Sequence, residues 1–473
     1  LHHSRRIFAE HAMLADGWHA DVLIEIDAHG KIAAVHTNAN AAQRRENPCD
    51  WCCRYLLPAI GNVHSHAFQR AMAGRSERID SSDNSNFWGW REQMYRLANA
   101  LTPEHVEAIS RLAFMEMLEA GFAAVGEFHY LHHAPDGSHY AQIDSMSQRV
   151  MAAAAATGIG LCLLPVLYAQ ADADGSSLLP QQQRFANNID DFLLLLQAAS
   201  ASVSQHLPAD ARLGLAAHSL RAVSPAQLHE LLQPLQAQQP IHIHAAEQTA
   251  EIESVQRHLG LPPLQWLQEN VALDERWCLI HATHATPAEL QALAATGCSI
   301  GVCPQTEANL GDGVFALPDW LARHGRCGIG SDSNIRISVS EELRLLEYTW
   351  RLRQQRRQVL RPDHGTDLTA SQGEALYRHC LSGGAQALQR KTGVIAPGHW
   401  ADLLHLDADA CAMHQLQTDN IIDGWMFAAD AGMVRDVWSA GRHCVVHGRH
   451  VHRTRINADY AAAMRSLHDH GMT

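Results

Sequence analysis

The segment LLPAIGNVHSH, residues 56–66, decides the fold because a short apolar run ends on two histidines one residue apart. The run from Leu56 to Val63 indicates a buried strand, and the two-residue period of a strand directs His64 and His66 to one side. Similar apolar segments recur along the chain, with helical patterns between several of them. We predict eight strands that end near residues 63, 128, 167, 217, 243, 280, 302 and 329.

An alternation of short strands and helices is typical of parallel β/α architecture. Eight such repeats favour an α/β fold of the (β/α)8 TIM-barrel type over a doubly wound sheet. Three helix starts carry an N-cap residue followed by proline: Thr102-Pro103, Ser224-Pro225 and Thr286-Pro287. The Gln-rich stretch PQQQR, residues 180–184, is predicted to be a surface loop.

Both ends of the chain have a different character from the middle. Residues 19–35 alternate apolar and polar side chains around Gly30, which predicts a β-hairpin, and short Gly-broken strands return at residues 394–407 and 433–451. We therefore expect a small β-sandwich built from both chain ends. The predicted domains are residues 1–57 and 391–473, the latter with a C-terminal helix, around a barrel at residues 58–390.

Composition narrows the function classes. The 473 residues carry a formal charge of −14 without a basic block, which argues against nucleic acid and anionic membranes as partners. No apolar stretch approaches the roughly 20 residues of a membrane span. Leu1 to Arg6 show no signal-peptide pattern, so a cytoplasmic location is expected. Eleven scattered cysteines indicate reduced thiols, although Cys49, Cys52 and Cys53 could also hold zinc.

Histidine is so frequent, 33 of 473 residues, that the His-x-His spacing alone says little. Four such triplets occur: His64-Ser-His66, His242-Ile-His244, His450-Val-His452 and His468-Asp-His470. Position is more informative, because the chemistry of a TIM barrel lies at the carboxyl ends of its strands. His64 and His66 follow the first strand. His244 ends the fifth, whereas His242 lies one layer deeper and fits a core histidine better.

Asp332 follows the eighth strand in CGIGSDSN and would be costly to bury without a cation beside it. It could instead cap the next helix, but Ser338 or Ser340 suits that start better. His64, His66, His244 and Asp332 form a donor set suited to one Zn²⁺, with Fe²⁺ and Mn²⁺ as alternatives.

Two further polar residues complete the predicted centre. Glu247 comes three residues after His244, where it can reach a water or a substrate without being a ligand, and is the predicted general acid/base. His281 ends the sixth strand at the same face of the barrel. The mechanism we expect uses a metal-activated water, Asp332 as proton acceptor, His281 to orient the nucleophile and Glu247 to protonate the leaving nitrogen.

The order of these residues resembles the amidohydrolase superfamily and, within it, the mononuclear deaminase branch. The C-terminal phrase APGHWADLLHLD is also similar to the composite β-sandwich of that superfamily. The fourth strand, LGLAAHSLRAV, has no lysine that could be carbamylated. The resemblance therefore implies one metal ion rather than a binuclear centre.

Eight phrases together resemble the N-formimino-L-glutamate deiminase family of bacterial histidine degradation: GNVHSHAFQRAMAG, FWGWREQMYRL, GEFHYLHH, HSLRAV, HIHAAEQ, RWCLIHATH, TEANLGDG and GIGSDS. The resemblance implies hydrolysis of N-formimino-L-glutamate to N-formyl-L-glutamate and ammonia, and a homodimer. By motif, the substrate would be bound by Gln69, Arg91, Tyr130, His218 and Arg221. Guanidinium groups suit a dicarboxylate, because each can bind a carboxylate with two hydrogen bonds.

Two other functions fit parts of the pattern. An aminohydrolase of a nucleobase-like or triazine-like ring would share the metal site, but its pocket should be lined by apolar and aromatic residues. A metal-binding scaffold without catalysis would lack Glu247 or His281, and the sequence contains both.

Overall fold

The fold is described by a computed structural model over residues 5–39, 48–77, 87–233, 239–360, 371–407, 414–429 and 431–469. Residues 1–4 of the predicted amino-terminal segment, and His470 of the last His-x-His triplet, lie outside this part of the chain. The strands are β1 (Arg5–Leu14), β2 (Gly17–Ile26), β3 (Ile32–His36), β4 (Trp51–Pro58), β5 (Ile60–Ser65), β6 (Phe122–His129), β7 (Gly160–Leu167), β8 (Arg212–Leu213), β9 (Leu215–Ala217), β10 (Ile241–Ala245), β11 (Trp277–His281), β12 (Ser299–Val302), β13 (Arg326–Ile329), β14 (Leu403–Leu406), β15 (Val434–Ser439), β16 (Arg442–Val446) and β17 (Arg449–His450).

Most of the helices lie between the strands of the middle region. The α-helices are α1 (Phe87–Ala100), α2 (Pro103–Glu119), α3 (Ser145–Thr157), α4 (Ile189–His206), α5 (Pro225–Leu232), α6 (Thr249–Leu259), α7 (Pro263–Asn270), α8 (Pro287–Ala294), α9 (Pro304–Leu310), α10 (Leu317–Leu321), α11 (Val339–Gln354), α12 (Gln372–Ala387), α13 (Ile421–Phe427) and α14 (Arg453–Asp469). Three short 3₁₀ helices are η1 (Ala67–Met72), η2 (Pro180–Phe185) and η3 (Ala431–Met433).

Eight parallel strands form the predicted barrel in the order β5-β6-β7-β9-β10-β11-β12-β13, and the short β8 pairs with β7. The barrel closes where β13 returns to β5. There the Asp332 amide donates to the His64 carbonyl, and the His66 amide donates to the Asp332 carbonyl, both at 2.9 Å. The strands therefore meet at three of the predicted metal ligands, which the backbone holds in register.

Helix starts in the barrel follow the expected capping chemistry. Thr102, Ser224 and Thr286 each accept a hydrogen bond from the third amide of their helix, with proline in the first turn. Ser338 caps α11 by accepting from the Glu341 amide. Asp332 is thus not needed as a cap, and its carboxylate is available to the site.

Four strands from each chain end form one continuous sheet, in the order β17-β16-β15-β14-β4-β1-β2-β3. The hairpin around Gly30 and the joining of both ends are as predicted. The hydrogen bonds run through all eight strands, and Ile7, Ile24, Leu56, Leu403 and Trp438 share a core separate from that of the barrel. The domain limits near residues 57 and 390 stay a prediction. No helix in the described ranges has the length and apolar character needed to cross a membrane.

The prediction of a surface loop at residues 180–184 is wrong. These residues form η2, in which Gln182 and Arg184 are buried. Arg184 donates to the carbonyls of Ala98 and Leu101 at the end of α1, and to that of His133 after β6. Polar side chains at this point bind the backbone of neighbouring elements, and composition alone does not distinguish that role from exposure to solvent.

Candidate active site

The four predicted metal ligands converge at the carboxyl end of the barrel. His64 Nε2 lies 3.0 Å from His244 Nε2 and 3.6 Å from Asp332 Oδ1, and His66 Nε2 lies 3.4 Å from the same oxygen. Ligand atoms about 2.0–2.1 Å from a tetrahedral zinc are themselves about 3.3 Å apart. The spacing of these donor atoms therefore fits a single cation of that size.

The hydrogen bonds of the imidazoles also fit a cation. His66 Nδ1 lies 2.9 Å from the Phe128 carbonyl and His244 Nδ1 lies 3.0 Å from the His218 carbonyl, so both Nδ1 atoms carry the proton. Both Nε2 lone pairs then face the centre. Burial holds the pKa of His244 well below its usual value and lowers that of His66 to about 3. Imidazole lone pairs and a carboxylate crowded into one buried site favour a cation among them.

Asp332 points to the same requirement. Burial raises its pKa to about 7, against the opposing effect of His281. A neighbouring cation would favour the carboxylate and reverse that shift. The residues present therefore fit a divalent metal.

His242 and His244 lie on the same strand but have different surroundings. His242 is fully buried, and its Nε2 lies 2.8 Å from the Ala387 carbonyl on the inner side of the barrel. His244, one layer closer to the opening, faces the metal donors. The alternative ligand His242 is thus used as a hydrogen-bonded core side chain.

The backbone is strained at two residues of the centre. His281 and Asp332 have positive φ angles of 70° and 47°, in the left-handed region that non-glycine residues rarely adopt. Such strain is concentrated at functional sites, where the surrounding structure maintains it. Here the chain turns sharply at the ends of β11 and β13, which aims both side chains into the opening of the barrel.

His281 is surrounded by carboxylates. Its Nε2 lies 3.9 Å from Glu247 and 3.8 Å from Asp332, and its Nδ1 lies 3.2 Å from Glu307 Oε1. Burial disfavours the charged imidazole, but Glu247, Glu307 and Asp332 outweigh it and raise its pKa to about 10. The ring therefore presents Nε2 to the cavity while Glu307 holds the other nitrogen.

Glu307 was missed by the sequence analysis, although the quoted phrase TEANLGDG contains it. It lies in α9, where its Oε1 also accepts from the Cys303 amide at 2.9 Å. His281, Cys303 and Glu307 are close enough to hold a second ion. However, the carboxylate oxygen already accepts hydrogen bonds, and burial raises the pKa of the Cys303 thiol well above its usual value. We therefore interpret Glu307 as a support for His281.

Glu251 holds the backbone that carries Glu247, the predicted general acid/base. Its two oxygens accept from the backbone amides of Ala246 and Glu247, at 3.3 and 3.0 Å. Burial and the charge of Glu247 raise its pKa to about 7, and Arg221 opposes the shift. The turn after β10 is thereby held with the Glu247 side chain in the cavity, 15% exposed.

An open cavity joins the metal donors to the predicted substrate-binding residues. All five of these residues line it: Gln69, Arg91, Tyr130, His218 and Arg221. Gln69 donates to the Tyr130 hydroxyl at 2.8 Å, and its buried Oε1 has no hydrogen-bond partner among the described residues. That oxygen can accept a hydrogen bond from an N–H group of a substrate.

The opposite end of the cavity is cationic. Arg91 lies on α1 and Arg221 follows β9, and both side chains line the cavity. Burial and the charge of Arg221 lower the pKa of Arg91. The aromatic residues Trp90, Tyr95, Tyr168 and Phe185 complete this wall and were not predicted. Two half-buried positive charges that line the same cavity favour an anionic ligand there.

The cysteine cluster lies away from this cavity, at the start of β4. Cys49 Sγ and Cys52 Sγ are 3.0 Å apart, whereas Cys53 belongs to the core of the terminal sheet. Within the described ranges, no group of potential metal ligands includes any of the three. The alternative of a zinc site there gains no support.

Comparison with known families and proteins assigns the chain. The family model described as Amidohydrolase family matches residues 55–444. A model described as Formimidoylglutamate deiminase HutF, N-terminal domain, matches residues 4–47. The chain is 46% identical to the formimidoylglutamate deiminase of Pseudomonas aeruginosa over 465 residues, which are 98% of this chain and 99% of that protein.

Solved structures agree with the family models. An amidohydrolase from Brucella melitensis superposes with a TM-score of 0.89 at 40% identity, over 98% of this chain and 99% of that one. An adenosine deaminase from Xanthomonas campestris with bound zinc gives 0.80 at 20% identity, over 98% of both chains, and shows the shared fold alone. The chain therefore belongs to the amidohydrolase family and, within it, to the formimidoylglutamate deiminases.

Proposed function

We propose that this protein hydrolyses N-formimino-L-glutamate to N-formyl-L-glutamate and ammonia, as a step of histidine degradation. One observation carries the proposal: a single cavity has metal-type donors at one end and two arginines at the other. A formimino group is the reacting part of such a substrate, and its two carboxylates are anions. The cavity thus offers complementary chemistry to each end of the molecule.

The metal is part of the proposal. His64, His66, His244 and Asp332 would hold one Zn²⁺, which is supported by the spacing and the burial of their donor atoms. When bound, a divalent cation of this kind activates a water molecule for attack on carbon.

The residues of the chain would carry out the remaining steps. Asp332 accepts a proton from the attacking water as the oxygen bonds to the formimino carbon. His281 Nε2 donates to the charge that develops on that oxygen. Two protons must reach the imino nitrogen before it can leave as ammonia, and both come from the water: the one that Asp332 accepts and the one that the new hydroxyl loses as the carbonyl forms. Glu247 passes these protons to the nitrogen, so the carbon–nitrogen bond breaks and ammonia leaves. The remaining carbon–oxygen bond becomes the carbonyl of the formyl product, which balances the addition of one water.

The substrate would be oriented by the far wall. Arg91 and Arg221 bind carboxylates, and Gln69 Oε1 accepts from an N–H of the formimino group. Aromatic side chains line part of the cavity, as a ring-binding pocket would also require, but the two arginines favour a linear dianion over a nucleobase-like or triazine-like ring, because a neutral ring offers no carboxylate to a guanidinium group.

Metal analysis coupled to an ammonia-release assay tests the proposal. We expect about one zinc ion per chain, because the four proposed ligands form one site. We also expect release of ammonia from N-formimino-L-glutamate but not from guanine, cytosine or a chlorotriazine. Faster turnover of any of the rings would refute it. Size-exclusion chromatography with light scattering tests the homodimer that the sequence resemblance implies.

A further inference from the structure

We propose that Gln182 sets the specificity for a substrate carboxylate by fixing the direction in which two phenols, Tyr95 and Tyr168, donate hydrogen bonds. Gln182 lies in η2, outside the residues that line the cavity, whereas both phenols line it. The inference rests on the proposed function, since it explains how the arginine end of the cavity selects a dicarboxylate.

The orientation of the Gln182 amide is determined by a backbone group. The Leu179 amide donates to Gln182 Oε1 at 2.8 Å, and a backbone N–H cannot accept. The amide nitrogen must therefore face the other way. Gln182 Nε2 lies 2.9 Å from the Tyr168 hydroxyl and 3.1 Å from the Tyr95 hydroxyl, so its two protons go to the two phenols.

Each phenol has one proton, and its direction follows from what its oxygen accepts. Because both oxygens accept from Gln182, neither hydroxyl donates back to that residue. Tyr168 also lies beside the guanidinium group of Arg221, which can only donate. Burial, followed by the neighbouring Tyr168, raises the pKa of Tyr95, so this phenol stays protonated. Both hydroxyl protons are left for a group in the cavity.

The result is a wall of donors. Two phenol hydroxyls donate there beside two guanidinium groups, and an acceptor suits all of these groups. A ligand group that cannot accept would leave the two buried hydroxyls unpaired, at a cost of about 1–3 kcal/mol for each in mutational data. A carboxylate accepts from several donors at once, so the wall selects for it.

Contacts of neighbouring residues fix the position of Gln182. Gln182 is buried, and Arg184 of the same 3₁₀ helix binds the end of α1, the helix that carries Arg91 and Tyr95. Asn99 of α1 donates to the Gln181 carbonyl at 3.0 Å. The spacing between Gln182 and the two phenols is thus maintained by contacts on both sides.

The test uses the metal-loaded protein, glutarate as a non-reacting dicarboxylate, and butyrate as the matched monocarboxylate. Gln182→Glu replaces the two donors by an acceptor, so the phenols donate to residue 182 and present lone pairs to the cavity. We expect the Kd of glutarate, measured by calorimetry, to rise about tenfold or more, which corresponds to one lost charge-assisted hydrogen bond. The ratio of glutarate to butyrate affinity should fall with it.

Gln183→Glu is the matched control, because it makes the same change one residue along η2. Its side chain donates to the Leu178 carbonyl and does not line the cavity. Its Kd should match that of the unmodified protein. With N-formimino-L-glutamate, Gln182→Glu should raise KM about tenfold and leave kcat nearly unchanged, a split that general loss of structure would not produce. A glutarate Kd within about twofold of the unmodified protein overturns the inference.

A second variant tests the inference if Gln182→Glu does not fold. If Gln182→Glu has a lower melting temperature or does not purify, Tyr95→Phe combined with Tyr168→Phe removes the two donors directly. An unchanged glutarate Kd in that double variant also overturns the inference. Binding of glutarate without release of ammonia from N-formimino-L-glutamate would refute the proposed function alone, so the two failures are distinguishable.

Discussion

The two ends of the cavity are built from different kinds of structure. The metal end lies on strand termini, where the hydrogen-bonded ladder of the barrel fixes the backbone of His64, His66 and Asp332. The arginine end lies on α1, η2 and the segments that follow β7 and β9. In the proposed function, the barrel strands therefore carry the reacting groups, whereas the segments over the barrel opening carry the substrate-binding groups. Substitutions at the two ends should affect different kinetic constants.

The largest effect is expected at the metal end. Glu247→Gln removes the proposed general acid/base and should lower kcat about 10³-fold, within the usual range for such a group. Metal content and glutarate affinity should not change, because Glu247 is neither a proposed ligand nor part of the arginine wall. Glu253→Gln, an exposed position in α6, is the control. A metal-replete variant that retains its activity would refute the role.

At the arginine end, Arg221→Met should raise KM for N-formimino-L-glutamate about 100-fold. This is the size of the loss in affinity that follows when one partner of a hydrogen-bonded charge pair is removed. The metal content should stay the same and kcat should change far less. Arg221→Lys should restore little of the affinity, because an ammonium lacks the planar fork of a guanidinium. Arg257→Met, exposed on α6, serves as control. A collapse of kcat with KM unchanged would contradict the separation of the two ends.

A smaller effect on kcat is expected at Glu307, which contacts His281. Glu307→Gln weakens the hydrogen bond to His281 Nδ1 and should lower kcat about tenfold, with KM nearly unchanged. Glu342→Gln is closely matched, since Glu342 is also buried and accepts from the Gln305 amide of α9, at 2.9 Å. Equal losses in both variants would show that Glu307 acts only through the position of α9.

The smallest effect is a difference in pH dependence between the ends. Guanidinium groups do not titrate between about pH 6 and about pH 9, so the Kd of glutarate should be constant there. The pKa of Glu251 is about 7, so this carboxylate gains a proton as the pH falls below neutrality. Its charge-assisted hydrogen bonds to the Ala246 and Glu247 amides then weaken, and kcat should fall about threefold. A parallel change in glutarate affinity would refute the contrast.

Several features could be predicted from the chain alone because they depend on neighbouring residues. The strand ends follow from apolar runs, and the helix starts follow from Thr102, Ser224 and Thr286 beside proline. The order of His64, His66, His244 and Asp332 along the chain placed all four at one face. Parallel strands bring their carboxyl ends together in any barrel, so order along the chain was sufficient.

Other features depend on contacts between distant segments. Gln182 was assigned to a surface loop, and Glu307 was not considered, because neither carries a local pattern that distinguishes support from exposure. Arg91 was assigned to the substrate by motif alone, and its place in the cavity wall follows from the packing of α1. The identity of a buried hydrogen-bond partner is a property of packing and has no periodicity to detect.

Local patterns thus established the barrel, the composite terminal sheet and the candidate metal donors, since periodicity, caps and strand ends are properties of adjacent residues. The arginine wall, the left-handed turns at His281 and Asp332, and the hydrogen bonds that hold Glu247, His281 and the two phenols arise only when the chain is folded. They join residues that are far apart in the chain and are stable only where burial excludes competing water.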